Sequence, residues 1–402
     1  MTFSVLLCVL FSSQLLAQDL SDNDLLRSSR RVEAAQAVFE DHLSRSFLPK
    51  VNVTLGEEYF GVDSIEPKAE PFGILEAKLN LYNGGMDQLT SEIARLKTGL
   101  SRWQTQTEER EELKKVRQLQ IELIFNNEMI TLLERELEEN KRLRTQAGRR
   151  AASGVATSTD VLEFDINASE LEEMRESLAH ENLILKLKLQ PLLGLKASEL
   201  QIPKKLEHHH DDRLLKRVET FKTHPRVSLY RMQSELSQRE RSMSRRYQLP
   251  SLELFAAHYN NFELPNRDFR ERNRLNAQGV GLRLLVNLYD GHESSLKATS
   301  LAHAAEANNY RAQYEEKILE SEFNALKEEL IHTHEIMHTI LERVTKSREY
   351  LQLTLKEYDR GVKNSLDALT AMQRMYRYEK DYMEKKRDYE NFKAELLAVL
   401  GE

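Results

Sequence analysis

The hydrophobic pattern along the chain changes period in a fixed order, and the order occurs twice. A helix-period segment over Arg31–Arg45, extending back to Leu25, precedes a stretch where apolar and polar residues alternate. A second, Val227–Tyr247, does the same. Leu75, Ala77, Leu79 and Leu81 fall opposite Glu76, Lys78 and Asn80, while Leu282, Leu284, Val286 and Leu288 fall opposite Arg283 and Asn287. Val51, Val53 and Leu55 supply an earlier alternating partner in the first half. Leu252 and Leu254, with Phe255 on the other face, supply it in the second. Period two predicts strands with one apolar and one polar face, four in all. Segments of about 9–11 residues are what a tilted strand needs to cross a bilayer.

Beyond each second strand the period becomes helical. Leu89, Ile93, Leu96, Leu100 and Trp103 step by four and three, a narrow seam of the coiled-coil kind. No proline interrupts Met86–Ser153 or His292–Arg360, so each run predicts a helix roughly 100 Å long. Gly154 and Gly361 mark turns, with Thr159 and Ser365 as the expected N-caps of two returning helices. The first return is expected to run to Gln190 and stop at Pro191. An irregular stretch follows, then a short helix over Arg213–Phe221 before His224-Pro225.

The two halves keep register. Asn80-Leu81-Tyr82-Asn83-Gly84 recurs as Asn287-Leu288-Tyr289-Asp290-Gly291, Gly154 as Gly361, Asp160 as Asp367 and Leu193-Gly194 as Leu400-Gly401, all at an offset of 207. Leu48-Pro49 recurs as Leu249-Pro250 at 201, which puts six extra residues in the second strand region. The chain is a tandem duplication. Its expected divisions are a signal peptide over 1–17, a first structural repeat over 18–200 and a second over 201–402.

Composition sharpens this picture. Of 402 residues, 8 are proline, 14 are glycine and 31% are charged, a mixture rich in helix formers. No internal stretch approaches ~18 uncharged apolar residues, which excludes a polytopic helical membrane protein. The 58 basic and 65 acidic residues are interspersed, so no block reads as a nucleic-acid surface. The one cysteine, Cys8, lies in an apolar N-terminal run that ends near Ala17, the pattern of a secretory signal. The competing reading of that run is the buried end of a cytosolic helix.

Four amphipathic strands cannot close a barrel, and an open-edged spanning sheet would leave backbone groups unsatisfied in lipid. The chain therefore predicts a fraction of a larger barrel made by identical copies, with helices arranged as a tube beneath it. A water-filled conduit follows, with no enzyme chemistry required.

Over nearly its whole length the chain resembles the outer-membrane efflux protein (TolC) family. The resemblance is carried by Leu48-Pro49 and Leu249-Pro250 ahead of the strands, and by His224-Pro225-Arg226 before the second upper helix. Tyr358-Asp359-Arg360-Gly361 with Asp367-Ala368-Leu369, and Gly154 to Asp160 in the first half, complete it. It implies a mostly α fold with a small β part: a trimeric, twelve-stranded outer-membrane β-barrel, four strands per chain, continued by an α-helical coiled-coil barrel. It also implies an exit duct for a tripartite efflux pump or type I secretion system. The partners implied are outer-membrane lipid, a periplasmic adaptor (membrane fusion) protein and an inner-membrane transporter, with no cofactor. The glycine turns at Gly154 and Gly361 would lie at the periplasmic tip. Asp160, Tyr358, Lys363 and Asp367 fall on family positions that make gate contacts or line the constriction. Three copies of Asp367 would form one acidic ring, since Thr370 stands where a second is expected. Asp160 and Asp367 also suit the first turn of a helix through its dipole alone.

Two metal-like patterns compete. His334-Glu335-Ile336-Met337-His338 matches a zinc-peptidase motif, yet it lies within the uninterrupted second helical run with no third ligand in the pattern. Glu207-His208-His209-His210-Asp211-Asp212 reads as a solvated linker. The expectation is no metal site, no catalytic site and no enzyme. The rival from another class is an exported periplasmic coiled-coil adaptor or scaffold, which has no need to duplicate bilayer-length strand pairs.

Overall fold

A computed structural model describes residues 23–44, 48–62, 65–154, 157–194, 220–261 and 276–401. The expected signal peptide, the Arg213–Phe221 helix up to residue 219 and the Glu207–Asp212 run lie outside the described residues.

The helices repeat with equal lengths, and the strands recur in the same order. Helix α1 (Asp24–Ser44, 21 residues) leads to strands β1 (Lys50–Val62) and β2 (Ile65–Asn83). Helices α2 (Met86–Ala152, 67 residues) and α3 (Ser158–Leu193, 36 residues) form the first helical hairpin. After a 3-10 turn at Phe221–Thr223 the order recurs as α4 (Pro225–Arg245, 21 residues), β3 (Ser251–Asn261) and β4 (Asn276–Leu285). Helices α5 (Glu293–Asp359, 67 residues) and α6 (Ser365–Leu400, 36 residues) form the second hairpin. No described helix is long and apolar enough to cross a membrane.

The structure revises several boundaries. Helix α3 continues past Pro191 to Leu193 and is capped by Gly194 in the left-handed region. A proline there has a helical φ already and forfeits only one backbone bond, near a helix end. β1 and β2, at 13 and 19 residues, are longer than the alternation predicts. Their extra length pairs as a two-stranded ribbon beyond the point where β3 ends opposite Phe72. Pro67 and Pro71 sit in that ribbon, where a missing N–H can face the free edge. Conversely, β4 stops at Leu285 and not at Leu288. Asn287 there donates to the Tyr247 carbonyl, and Asp290 accepts from Ser294 N–H at the start of α5.

Two compact units cut across the repeats: one comprises Thr105–His224 and Glu315–Glu402 with the chain up to Ser29, the other Arg30–Gln104 and Pro225–Tyr314. In the second, the strands form an antiparallel sheet in the order β1-β2-β3-β4. One face carries Val53, Leu75, Val280, Leu282 and Leu284, all exposed within the chain. The other carries an ionic lattice: Glu76 contacts Lys78 at 2.9 Å and Arg283 at 3.4 Å, and Arg283 reaches across β3 to do so. Two glycines on that face make room for aromatic rings from their cross-strand partners. A Cβ on Gly56 would come within 2.7 Å of the Phe72 ring, and one on Gly281 within 3.1 Å of Phe255. Arg283 completes the second stack, 4.6 Å from the Phe255 centroid.

In the first unit, Phe164, Leu143, Ala147, Met372 and Tyr358 are at the centre of one apolar cluster. A buried amide chain crosses it: Asn140 donates to the Phe164 carbonyl, Asn167 to Asn140 Oδ1 and Gln373 to Asn167 Oδ1, all within 3.0 Å. Three helices are thereby held in one register, because a slip would strand buried polar atoms. Asn23 joins α1 to the same unit, capping α1 at Leu26 N–H and donating to the Leu192 carbonyl.

Helices α2 and α6 run past one another as an ionic ladder. Glu136 lies 3.1 Å from Lys380, Glu128 3.3 Å from Lys386 and Glu122 3.5 Å from Arg387. Glu379 is contacted by Arg135 and by Arg348 of α5. Burial pushes the Glu136 carboxyl above its ordinary range, against the downward pull of Lys380. The folded protein then holds that proton more tightly than the unfolded chain, so Glu136 costs stability once ionised. Acidification from about pH 8 to about pH 5 should therefore raise the melting temperature of the native protein relative to Glu136→Gln. Parallel melting curves across that range would refute the assignment.

Candidate functional site

The hairpin tips are built by turns that demand glycine. Gly154 and Gly361 have φ of 77° and 81°, where a side chain would be strained, and each follows the last turn of a long helix. Gly154 N–H bonds the Ala151 carbonyl and Gly361 N–H the Tyr358 carbonyl. Both returning helices then start on the same device. Thr157 accepts from Asp160 N–H and Asp160 reaches back to Thr157 N–H, while Asn364 and Asp367 do the same in the second hairpin. Sequence reasoning placed these caps at Thr159 and Ser365. The caps stand at Thr157 and Asn364 because a capping box needs its carboxylate three residues after the cap. That spacing was present in the sequence.

Asp160 and Asp367 thus each have one carboxylate oxygen committed to a helix start, and both side chains are half-buried. Lys363 is half-buried in the turn between α5 and α6, and among the described residues no carboxylate lies within ion-pair distance of it. Within one chain, then, Asp160, Lys363 and Asp367 are not brought together by direct contacts. Tyr358 is different: it is fully buried, with its hydroxyl 3.2 Å from Ser365 Oγ. Ser365, the expected cap, serves as that partner instead.

The link between the two tips comes from residues that the sequence did not single out. Arg150, in the last turn of α2, donates to the Tyr358 carbonyl at 2.8 Å and lies 4.5 Å from the centroid of the Tyr358 ring. Gln146 donates to Asp359 Oδ1 at 2.5 Å. A guanidinium from one hairpin therefore caps the last carbonyls of the other, at the negative end of its dipole. From sequence alone, Arg149 and Arg150 look like ordinary basic residues closing their own helix. Only proximity shows that Arg150 closes the neighbouring one.

The zinc-like pattern does not form a site. The His334 ring packs 6.1 Å from that of Tyr389, while His338 is 74% exposed and lies 3.7 Å from Glu342. Among the described residues no group of three His, Cys, Asp or Glu is placed to hold a metal.

No family model and no curated protein matches this sequence. Solved structures do match. The outer-membrane channel OprN superposes with a TM-score of 0.80 at 15% identity, over 97% of this chain and 89% of that one. The outer membrane protein VceC from Vibrio cholerae gives 0.78 at 12% identity, over 97% and 95%. The CmeC outer membrane channel of Campylobacter jejuni gives 0.76 at 12% identity, over 97% and 85%. The chain has the TolC-like outer-membrane channel fold.

Removing the Arg150 side chain by Arg150→Ala deletes a charged hydrogen bond of about 1.5–3 kcal/mol and a ring contact. Amide exchange over Asp359–Asn364 should accelerate by roughly tenfold or more. Unchanged exchange there would mean the clamp does not hold the tip.

Proposed function

We propose that this chain is one subunit of a TolC-family outer-membrane channel, a passive conduit with no catalytic step. The observation that carries the reading is the sheet. Its exposed apolar face suits lipid, its opposite face is charged, and β1 and β4 remain as open edges. Backbone groups on such edges are not tolerated in a bilayer, so further copies must complete the ring. Three chains of four strands make the twelve-stranded barrel, and the helical hairpins extend from it into the periplasm. Fold similarity to outer-membrane channels over 97% of the chain supports this.

In that assembly the conduit is the exit duct of a tripartite efflux pump or type I secretion system, served by a periplasmic adaptor and an inner-membrane transporter. The tips at Gly154 and Gly361 form the periplasmic gate. Arg150 and Tyr358 tie the two hairpins of each chain together there. Asp160, Lys363 and Asp367, uncommitted to one another within the chain, meet their counterparts across copies. Three Asp367 carboxylates line the constriction and favour cations, because a ring of like charge at a narrow point concentrates counter-ions.

Planar-bilayer recordings test both levels. The purified protein should form cation-preferring channels, and Asp367→Ala should reduce that preference. A protein that inserts no channels would end the conduit reading. Channels with unaltered selectivity in Asp367→Ala would remove only Asp367 from the constriction.

A further inference from the structure

Divergence between the repeats leaves a charged cavity in the second. Residues of α1 and their mates in α4 differ by 201, and those of α2 and α5 by 207. In the first repeat the groove between the two helices is self-neutralised, with Arg102 of α2 held 3.1 Å from Glu33 of α1. Their mates, Asn309 and Ser234, are both uncharged. Ser234 turns into α5 and donates to the Ala305 carbonyl. Ala302 stands where α2 has Arg95. With these shorter side chains, a cavity of about 360 Å³ lies between α4 and α5, lined in part by Ala302 and Ala305.

Two guanidiniums reach it without a counter-charge. Arg239, Arg241, Arg245 and Arg246 crowd the end of α4. Arg239 is paired with Glu92 and Glu235, and Arg246 donates to the Gly85 carbonyl at 3.0 Å. Arg241 and Arg245 line the cavity instead, and among the described residues no carboxylate lies within ion-pair distance of either. The Nε of Arg241 is buried with no acceptor. The mate of Arg241 is Glu40, so the basic pair belongs to the second repeat alone. Cations one helical turn apart repel, and an orphaned buried donor is costly, so this arrangement calls for an anion that the chain does not supply. Glu306, exposed on α5, lines the same cavity. It accepts from the Tyr310 hydroxyl at 3.3 Å, and among the described residues no cation lies within ion-pair distance of it.

The depth of the cavity and the side on which it opens point to the source of that anion. Arg245 ends α4, six residues before β3 begins at Ser251, and Arg241 lies one turn, about 6 Å, further from the strands. A lipid headgroup layer is about 5–8 Å thick. On α4, Glu240, Met243 and Tyr247 form the stripe opposite Gln238, Arg241 and Arg245, since two residues turn a helix by about 200°. That opposite stripe lines a second cavity together with Ser294, the mate of Asp87. Asp87 takes a hydrogen bond from Asn80 on the charged face of the sheet. The arginines accordingly fall on the side of the apolar face. We infer that the α4–α5 cavity binds the headgroup of a phospholipid that carries both a phosphate and an ammonium, with Arg241 and Arg245 on the phosphate oxygens and Glu306 on the ammonium. Guanidiniums suit a tetrahedral oxyanion through their paired N–H donors, and Glu306 would repel a headgroup that has the phosphate alone. The inference rests on the conduit reading only for the presence of a bilayer at this depth.

The test uses the full-length protein, extracted in detergent and stripped of bound lipid. Native mass spectrometry with a short-chain, water-soluble phosphatidylethanolamine should show one lipid retained per chain. Phosphatidylglycerol of the same chain length should be retained about tenfold more weakly. Arg241→Gln and Arg245→Gln should each weaken retention of either lipid by about tenfold or more. Glu306→Gln should remove the preference for the ethanolamine lipid and leave the glycerol lipid bound at least as tightly. Arg245 and Glu306 are exposed and Arg241 is half-buried, so the variants should keep native helicity by circular dichroism. Inorganic phosphate that displaces the lipid at equal concentration would assign the cavity to a free anion and overturn the headgroup. An unchanged preference in Glu306→Gln would overturn the ammonium contact. Retention unaffected by both arginine changes, or no retention by a protein that conducts, overturns the site and leaves the conduit reading standing. A protein that neither retains the lipid nor forms channels overturns both.

Discussion

The pairing of α2 with α6 is the constraint on which the first unit depends, because it is where one repeat grips the other. Charged residues there are taken largely out of water, which is tolerable only when each has a close partner. Glu136 with Lys380 and Glu128 with Lys386 meet that condition, and Glu379 meets it twice over through Arg135 and Arg348. The ladder contributes modest net stability, since desolvation offsets much of the attraction. Its stronger effect is on register, as a slip by one turn would part these carboxylates from their cations. The Asn140–Asn167–Gln373 chain enforces the same register nearer the tip with neutral groups.

Duplication with selective divergence explains how one plan yields different surfaces. Backbone landmarks are kept in both halves: helix lengths, the left-handed glycines and the capping boxes. These are local requirements of chain direction, indifferent to neighbours. The side chains that diverge are those whose neighbours differ. Arg150 corresponds to Glu357, and Tyr358 to Ala151, so the joint that Arg150 makes with Tyr358 has no equivalent in the reverse sense. A protein built from two similar hairpins becomes directional in this way.

The sheet makes an analogous division between faces. Its apolar face is unremarkable as sequence, a plain alternation, but its charged face is organised over three strands by Arg283 lying on Phe255 and reaching Glu76. Glu76 and Arg283 are themselves mates at 207, so the contact ties each repeat to its copy. The rings laid on Gly56 and Gly281 stiffen positions where glycine would otherwise weaken a strand.

Periodicity alone determined the elements of this protein: over the whole chain, two short helices, four strands, two long helices and two returns, in an order that occurs twice. That information is local, because a run of apolar positions at period 3.6 or 2 commits the backbone whatever lies beside it. The likeness to a channel fold was legible for the same reason, through short motifs in order. Tertiary structure decided what those positions touch. It buried Tyr358 against Ser365 and assigned the inter-hairpin clamp to Arg150, whose place in the sequence looks ordinary. It also showed the β1–β2 ribbon, which charges and two prolines conceal from any test of alternation. The Arg150 clamp depends on the distance between segments 208 residues apart, and no local pattern encodes a distance.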